Sequence, residues 1–275
     1  LLLGEEEGDK LSGGDGDDRL DGGRGSDKLD GGSGEDRLEG GTAEDRLVGG
    51  AGADDLDGGP GYDTADYSGH AGDLTVTVDG VADDAGEGDN VEITVENVLG
   101  GDGSDTIAGS PFAPIANTFN GGAGADRLAG EAGDDLLYGE GGEDALAGGA
   151  DSDRLFGEEG DDLLRGDEGS DWLYGGDGDD TLLGGPGLNV IAGEDGEDTL
   201  VGGPGNDRLE GGVGIDTIEA GEGADDVAGG PGADFIDVED GAGDDLVCGD
   251  SFGPGPEGLD TILADPGDVV FEGNC

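Results

Sequence analysis

The chain has 275 residues, with 72 Asp or Glu against 10 Lys or Arg and a formal charge of −62. That charge excludes nucleic acid and anionic membrane as natural partners and leaves cations as the natural counter-charge. Glycine supplies 69 residues and aromatics only 4%, which argues against a conventional globular core, and no run of about 18 apolar residues exists to span a membrane.

The opening Leu1-Leu2-Leu3 reads as the tail of an earlier repeat, and with no Met the chain reads as a trimmed piece of a longer precursor. A period of nine then takes over. Residues 13–21 are GGDGDDRLD, 22–30 GGRGSDKLD, 31–39 GGSGEDRLE and 49–57 GGAGADDLD, so the consensus is G-G-x-G-x-D-x-L-x. Seven units fill 4–66 and define a first block over residues 1–66. Residues 67–99 break the period. Within them 73–79 (DLTVTVD) and 91–98 (VEITVENV) alternate like two strands around an acidic loop containing Asp79, Asp83, Asp84, Glu87 and Asp89. This stretch reads as a β-hairpin-like insert whose loop is more simply a solvated turn than a cation site. One unit at 100–108 and a degenerate one at 112–120 form a transition over 100–120. Thirteen units in unbroken register make a second block over 121–237. Two looser units, around Asp245 and Asp260, lead into a C-terminal cap over 238–275. There Cys248 and Cys275 are expected to form one disulfide that braces the last loop.

Each position of the unit has a physical reading. Glycines at positions 1, 2 and 4 permit positive φ and close approach of backbones. Position 8 is apolar, as at Leu20, Leu29, Leu38, Leu128, Leu155, Leu173, Ile218 and Ile236, and position 7 carries eight of the ten cations. Positions 7 to 9 therefore predict a three-residue strand with its middle side chain inward. Two units close one turn of a flattened spiral with two parallel sheets and a narrow Leu-lined core. The expected fold is all-β.

Position 6 holds the candidate metal ligands. They are Asp9, Asp18, Asp27, Asp36, Asp45, Asp54 and Asp63 in the first block, Asp105 in the single unit, and Asp126, Asp135, Asp144, Asp153, Asp162, Asp171, Asp180, Asn189, Asp198, Asp207, Asp216, Asp225 and Asp234 in the second, with Asp245 beyond it. Stacking sets each one strand spacing of about 4.8 Å from the acid 18 residues away, where two carboxylates repel by roughly 3.5 kcal/mol at an effective dielectric near 20. Burying one Leu returns only about 1.5–3 kcal/mol. A divalent cation between turns reverses the sign of the repulsion. Carboxylate and carbonyl oxygens suit calcium, with its six to eight flexible contacts, better than magnesium, and the repeats offer no His or Cys for zinc or copper.

The unit resembles the RTX, or hemolysin-type calcium-binding, nonapeptide repeat family over about three quarters of the chain. The resemblance implies a right-handed parallel β-roll with multiple calcium ions between turns, each shared by Asp residues two units apart: Asp9 with Asp27, and so on to Asp45 with Asp63, then Asp126 with Asp144 and on to Asp216 with Asp234. Seven and thirteen units allow at most sixteen such pairs. Asn189 is neutral, so its two shared sites are expected to be weaker. Ala43 and Asp151 replace the position-4 glycine, and Glu131, Glu140, Glu158, Asp167 and Glu194 replace that at position 2, each at a cost of about 1 kcal/mol if φ is positive.

One feature has no calcium rationale. Tyr138, Phe156 and Tyr174 share position 9 at spacings of 18, beside Leu136, Arg154 and Trp172 at position 7. They predict either a cross-strand ladder or a contact surface for a protein or a carbohydrate. Catalytic parts are missing: no G-x-S-x-G, no phosphate-binding G-x-x-x-x-G-K-[ST], and one histidine, His70. The sequence therefore reads as no enzyme but a calcium-binding module that folds on binding ions outside the cell, secreted or at the cell surface. The alternative is the non-catalytic tail of a secreted enzyme, toxin or adhesin whose active domain is not in this chain.

Overall fold

A computed structural model describes residues 1–79, 89–239, 243–247, 261–264 and 269–271. Among these, every regular element is a strand, and every strand pairs in parallel, forming a β-solenoid. Within the regular repeats the register offset is 18 residues, as in Leu20↔Leu38 and Leu155↔Leu173, so two nine-residue units make one coil.

The strands are longer than the sequence pattern suggests. Arg19–Arg24 runs six residues, through positions 7, 8, 9, 1, 2 and 3, with Leu20 and Gly22 inward. The position-1 glycine keeps the alternation going without a side chain to advertise it, and the ladder gains two more rungs, Gly23↔Gly41 and Arg24↔Thr42. Glycine does two different jobs here. At position 1 it allows close approach: a Cβ on Gly31 would lie 2.5 Å from both Asp36 Oδ2 and the Gly49 carbonyl oxygen of the next coil. At position 2 it supplies positive φ, for example 106° at Gly32. The seven substituted positions named above adopt positive φ as expected, from 65° at Asp167 to 92° at Ala43, and Glu5 joins them at 112°.

The chain divides into two compact units, 1–132 and 133–275. In the first, one face carries Leu2–Glu5, Arg19–Arg24, Arg37–Thr42, Asp55–Asp57 and Asn90–Val91. The facing sheet carries Lys10–Asp15, Lys28–Ser33, Arg46–Ala51, Thr64–Asp66, Asn97–Leu99 and Thr118–Ala123. A third sheet holds Thr75–Thr77, Thr106–Ala108 and Arg127–Ala132.

The described strands of residues 67–99 do not pair with one another as a hairpin. Thr75–Thr77 pairs in parallel with Thr106–Ala108, and Asn90–Val91 with Asp55–Asp57. Asn97–Leu99 lies between Thr64–Asp66 and Thr118–Ala123, also in parallel. The stretch 91–98 is broken by a turn closed by the Val95 N–H on the Glu92 carbonyl, 3.0 Å. Alternation marks one buried face, and Val76, Val78, Val91 and Val98 are indeed buried. It does not say which strand lies alongside, and here the neighbours belong to the coil.

The second unit has two sheets. One runs from Leu136–Gly141 through Arg154–Glu159, Trp172–Asp177, Val190–Asp195, Arg208–Val213 and Asp226–Ala228 to Asp245–Val247 and Val269–Phe271. The other runs from Ala145–Ala150 through Leu163–Glu168, Thr181–Leu183, Thr199–Pro204 and Thr217–Glu222 to Phe235–Val238 and Thr261–Ala264. Between them lie two rows of buried position-8 side chains, including Leu155, Leu173 and Ile191 on one side and Leu146, Leu164 and Leu182 on the other. Cys248 and Cys275 lie outside the described residues.

Each inward residue is one rung of a one-dimensional core, so its loss is not shared across a broad interior. Leu164→Ala should cost about 2–5 kcal/mol, read as a shift in the guanidinium unfolding midpoint at fixed ionic conditions.

Candidate metal centre

Position 6 closes the turn and opens the strand, and its backbone is held on both sides. The Asp18 carbonyl accepts from the Arg37 N–H and the Asp153 carbonyl from the Trp172 N–H, each at 2.9 Å. Its own N–H donates to the carboxylate one coil on: Asp9 to Asp27 Oδ1 at 2.7 Å, Asp27 to Asp45 at 2.8 Å, Asp162 to Asp180 at 2.7 Å and Asp216 to Asp234 at 3.0 Å. The same bond links Asp18 to Asp36, Asp36 to Asp54, Asp45 to Asp63, Asp135 to Asp153, Asp144 to Asp162 and Asp198 to Asp216. Asp105 donates to Asp126 and Asp207 to Asp225. Within each unit of the structure, the sequence-predicted acids therefore form buried files, with Asp9 and Asp18 only half-buried at one end.

The two carboxylate oxygens have different surroundings. Oδ1 takes the backbone N–H. Oδ2 of Asp27, Asp36, Asp45, Asp63, Asp153, Asp162, Asp171, Asp180, Asp198, Asp207 and Asp216 is buried with no hydrogen-bond partner. The position-1 glycine brings a second acceptor to the same place. A Cβ on Gly40 would lie 2.6 Å from Asp45 Oδ2 and 2.7 Å from the Gly58 carbonyl oxygen. Buried acceptors gathered without a donor are costly in a low-dielectric interior.

The protonation behaviour follows. Burial pushes the carboxyls of Asp63, Asp153, Asp180 and Asp216 up to about 7, and those of Asp45, Asp198 and Asp207 up to about 6. The donated backbone N–H opposes the rise, and for Asp63, Asp153, Asp180 and Asp216 neighbouring carboxylates add to it. Asp162 and Asp171 are raised for the same leading reason.

Several members of the files were not legible from the repeat. Asp89 accepts the Asp54 N–H, and Glu96 accepts that of Asp63, each at 2.9 Å. Asn117 is buried at position 6 of the degenerate unit. Asp244, not Asp245, accepts the Asp225 N–H at 2.9 Å. Asp245 instead starts a strand opposite Asp226, because one extra residue shifts the nine-residue phase and makes Leu246 the partner of Val227. The signal that survives in all four places is an acid or amide two residues before an apolar strand residue: Val91, Val98, Phe119 and Leu246. Asp89 thus belongs to the file rather than to a solvated loop, while Asp83, Asp84 and Glu87 lie outside the described residues.

On the outer face Tyr138 stacks on Phe156 at 5.0 Å and Phe156 on Tyr174 at 5.1 Å, with interplanar angles of 15° and 6°. The Arg154 guanidinium sits 5.0 Å from the Trp172 ring centroid. The three stacked rings spend their facing surfaces on one another.

The RTX calcium-binding nonapeptide repeat model matches residues 3–38, 30–65, 96–111, 116–146, 138–173, 147–182, 174–209 and 201–236, well over half of the chain. The chain belongs to this family. No curated protein matches it. The RTX repeats here offer oxygen donors only, and among the described residues no three acidic, His or Cys side chains converge on one point. The oxygens gathered at each turn are carboxylate and main-chain oxygens together. Unpartnered Oδ2 atoms beside position-1 carbonyls fit the requirement of a hard ion.

The sign of the pH dependence follows from the raised carboxyls. Without metal, a raised folded-state pKa stabilises the fold below the unfolded value near 4, and that contribution is lost as pH rises through about 6–7. With metal the carboxylate is needed, so affinity should fall across the same window on acidification. Circular dichroism in EDTA should show β structure growing from pH 8 to pH 5, while calcium titrations show weaker binding at pH 5 than at pH 7.5.

Proposed function

We propose that the chain is a calcium-dependent folding module that orders on binding several ions outside the cell. The observation that carries this reading is the set of buried aspartate Oδ2 atoms with no hydrogen-bond donor in the protein. Bound calcium supplies two positive charges and accepts six to eight oxygen contacts. The chain's residues do the rest. Position-6 carboxylates such as Asp27, Asp45, Asp153, Asp162, Asp180 and Asp216 present Oδ2, fixed in direction because Oδ1 accepts a backbone N–H from the preceding coil. Position-1 glycines let a carbonyl from the adjacent coil approach it.

An extracellular setting is supported by the family and by the donor chemistry. Sites built from one carboxylate per coil and neutral carbonyls belong with weak extracellular modules, at about 10⁻⁴–10⁻³ M, rather than with cytosolic sensors. Function as the non-catalytic part of a larger secreted protein is compatible with the same module and asks nothing different of these residues.

In EDTA at pH 7.5 the purified chain should be expanded and lose most of its β signal. Calcium should restore it cooperatively with a midpoint near 10⁻⁴–10⁻³ M, and equimolar magnesium should not. A chain equally compact and protease-resistant in excess EDTA overturns the proposal.

A further inference from the structure

Three positions in the acid files differ from Asp36, Asp153, Asp180 and Asp216, whose Oδ2 has no hydrogen-bond partner: a donor from the protein reaches the second side-chain polar atom or takes its place. At Asn189, Oδ1 accepts the Asp171 N–H at 3.0 Å, as aspartate Oδ1 does, and Nδ2 donates to the Gly185 carbonyl at 2.9 Å. The amide orientation is fixed by this pair of bonds, because only the oxygen can accept an N–H. At Asp89, Oδ1 accepts the Asp54 N–H and the Tyr67 hydroxyl donates to Oδ2, both at 2.9 Å. At Asp105, the Leu74 N–H donates to Oδ1 and the Gly101 N–H to Oδ2, both at 2.9 Å.

The Asn189 turn also shows what the ordinary turns lack. A Cβ on Gly184 would lie 2.8 Å from Asn189 Nδ2 and 2.6 Å from the Gly202 oxygen. On Gly31 the same point lies 2.5 Å from Asp36 Oδ2 and 2.5 Å from the Gly49 oxygen. The amide nitrogen therefore stands where the aspartate oxygen stands. Nitrogen there meets the position-2 carbonyl as donor to acceptor, whereas an aspartate oxygen meets it as acceptor to acceptor.

We propose that the turns are of two kinds. Open turns need a cation. Closed turns, at Asp89, Asp105 and Asn189, are completed by the chain's own donors, hold no calcium, and persist as metal-free clamps on which neighbouring coils order when calcium arrives. Asp105 and Asn189 match the repeat as ligands, and on this proposal they are not. The proposal rests on the calcium reading above, but its readout is separate.

The test is peptide-resolved hydrogen exchange on the full chain in EDTA and in calcium, with bound calcium counted by equilibrium dialysis. In EDTA, the amides of Asp171 and Asp54, which face closed turns, should exchange about tenfold or more slowly than those of Asp153 and Asp198, which face open ones. Asn189→Asp should abolish the Asp171 protection in EDTA and raise the calcium count. Tyr67→Phe should abolish the Asp54 protection in EDTA while the calcium form stays folded. Asp180→Asn, the reverse change, should create EDTA-resistant protection at Asp162 and lower the calcium count. Uniform exchange in EDTA overturns the proposal, as does an Asn189→Asp chain unchanged in both exchange and stoichiometry. If Asn189→Asp does not fold even in calcium, Asp180→Asn decides, and no gain of protection at Asp162 counts against the proposal. A parent chain that binds no calcium removes the calcium reading, while the exchange pattern still tests the closed turns on their own.

Discussion

The regular coils of this solenoid set a buried carboxylate oxygen, such as Asp45 or Asp162 Oδ2, against other acceptors, and the remaining structure depends on how that contact is relieved. A buried charge without compensation costs several kcal/mol. The inward Leu of the same nine residues returns about 1.5–3 kcal/mol. The two terms are of similar size and opposite sign, so the core alone does not decide whether a coil forms. In a globular domain a wide core would absorb such a defect. Here each coil touches only its neighbours, so relief has to be supplied turn by turn. This is why the acids recur at one phase of the repeat rather than gathering at a single centre.

The sequence made the phase legible because three constraints act at fixed offsets. Position 8 must be apolar, position 6 must accept, and position 2 must tolerate positive φ. The last held even where glycine was replaced: Glu131, Glu140, Glu158, Asp167 and Glu194 all adopt φ between 65° and 80°. What stayed hidden has physical causes too. The inward place of position-1 glycine left no hydropathy signal, so the strands read as half their length. The direction of the strands in 67–99 was misread because alternation reports a buried face and not a partner. Asp244 was missed beside Asp245 because a one-residue insertion leaves two adjacent aspartates competing for one phase, and only the pairing of Leu246 with Val227 breaks the tie.

The outer surface obeys weaker rules. Cations at position 7 reach acids on the next coil, as Arg19 does to Glu39 at 2.8 Å and Arg46 Nε to Asp66 at 2.6 Å. Arg37 bridges Glu39 and Asp55. Exposed pairs of this kind contribute about 0–1 kcal/mol each. With 10 basic against 72 acidic residues they leave most of the charge untouched. They favour one neighbour over another but do not hold the coil closed. The Tyr138–Phe156–Tyr174 stack belongs with them, as one of the few outer features that is not electrostatic.

Such distinctions matter because identical units carry a degeneracy. Slipping one strand by 18 residues past its neighbour re-forms every Leu contact and every carboxylate bond, so the repeat itself cannot specify a unique register. The irregular parts can. Asn97 meets Thr64 at an offset of 33 residues and Asn90 meets Asp55 at 35, pairings that no slipped register reproduces. Asp89, Glu96 and Asn189 sit in the acid files with side chains or spacings unlike those of the regular units. The departures from consensus are thus the places where a periodic chain acquires an address. A sequence of perfect nonapeptides would have no single way to stack.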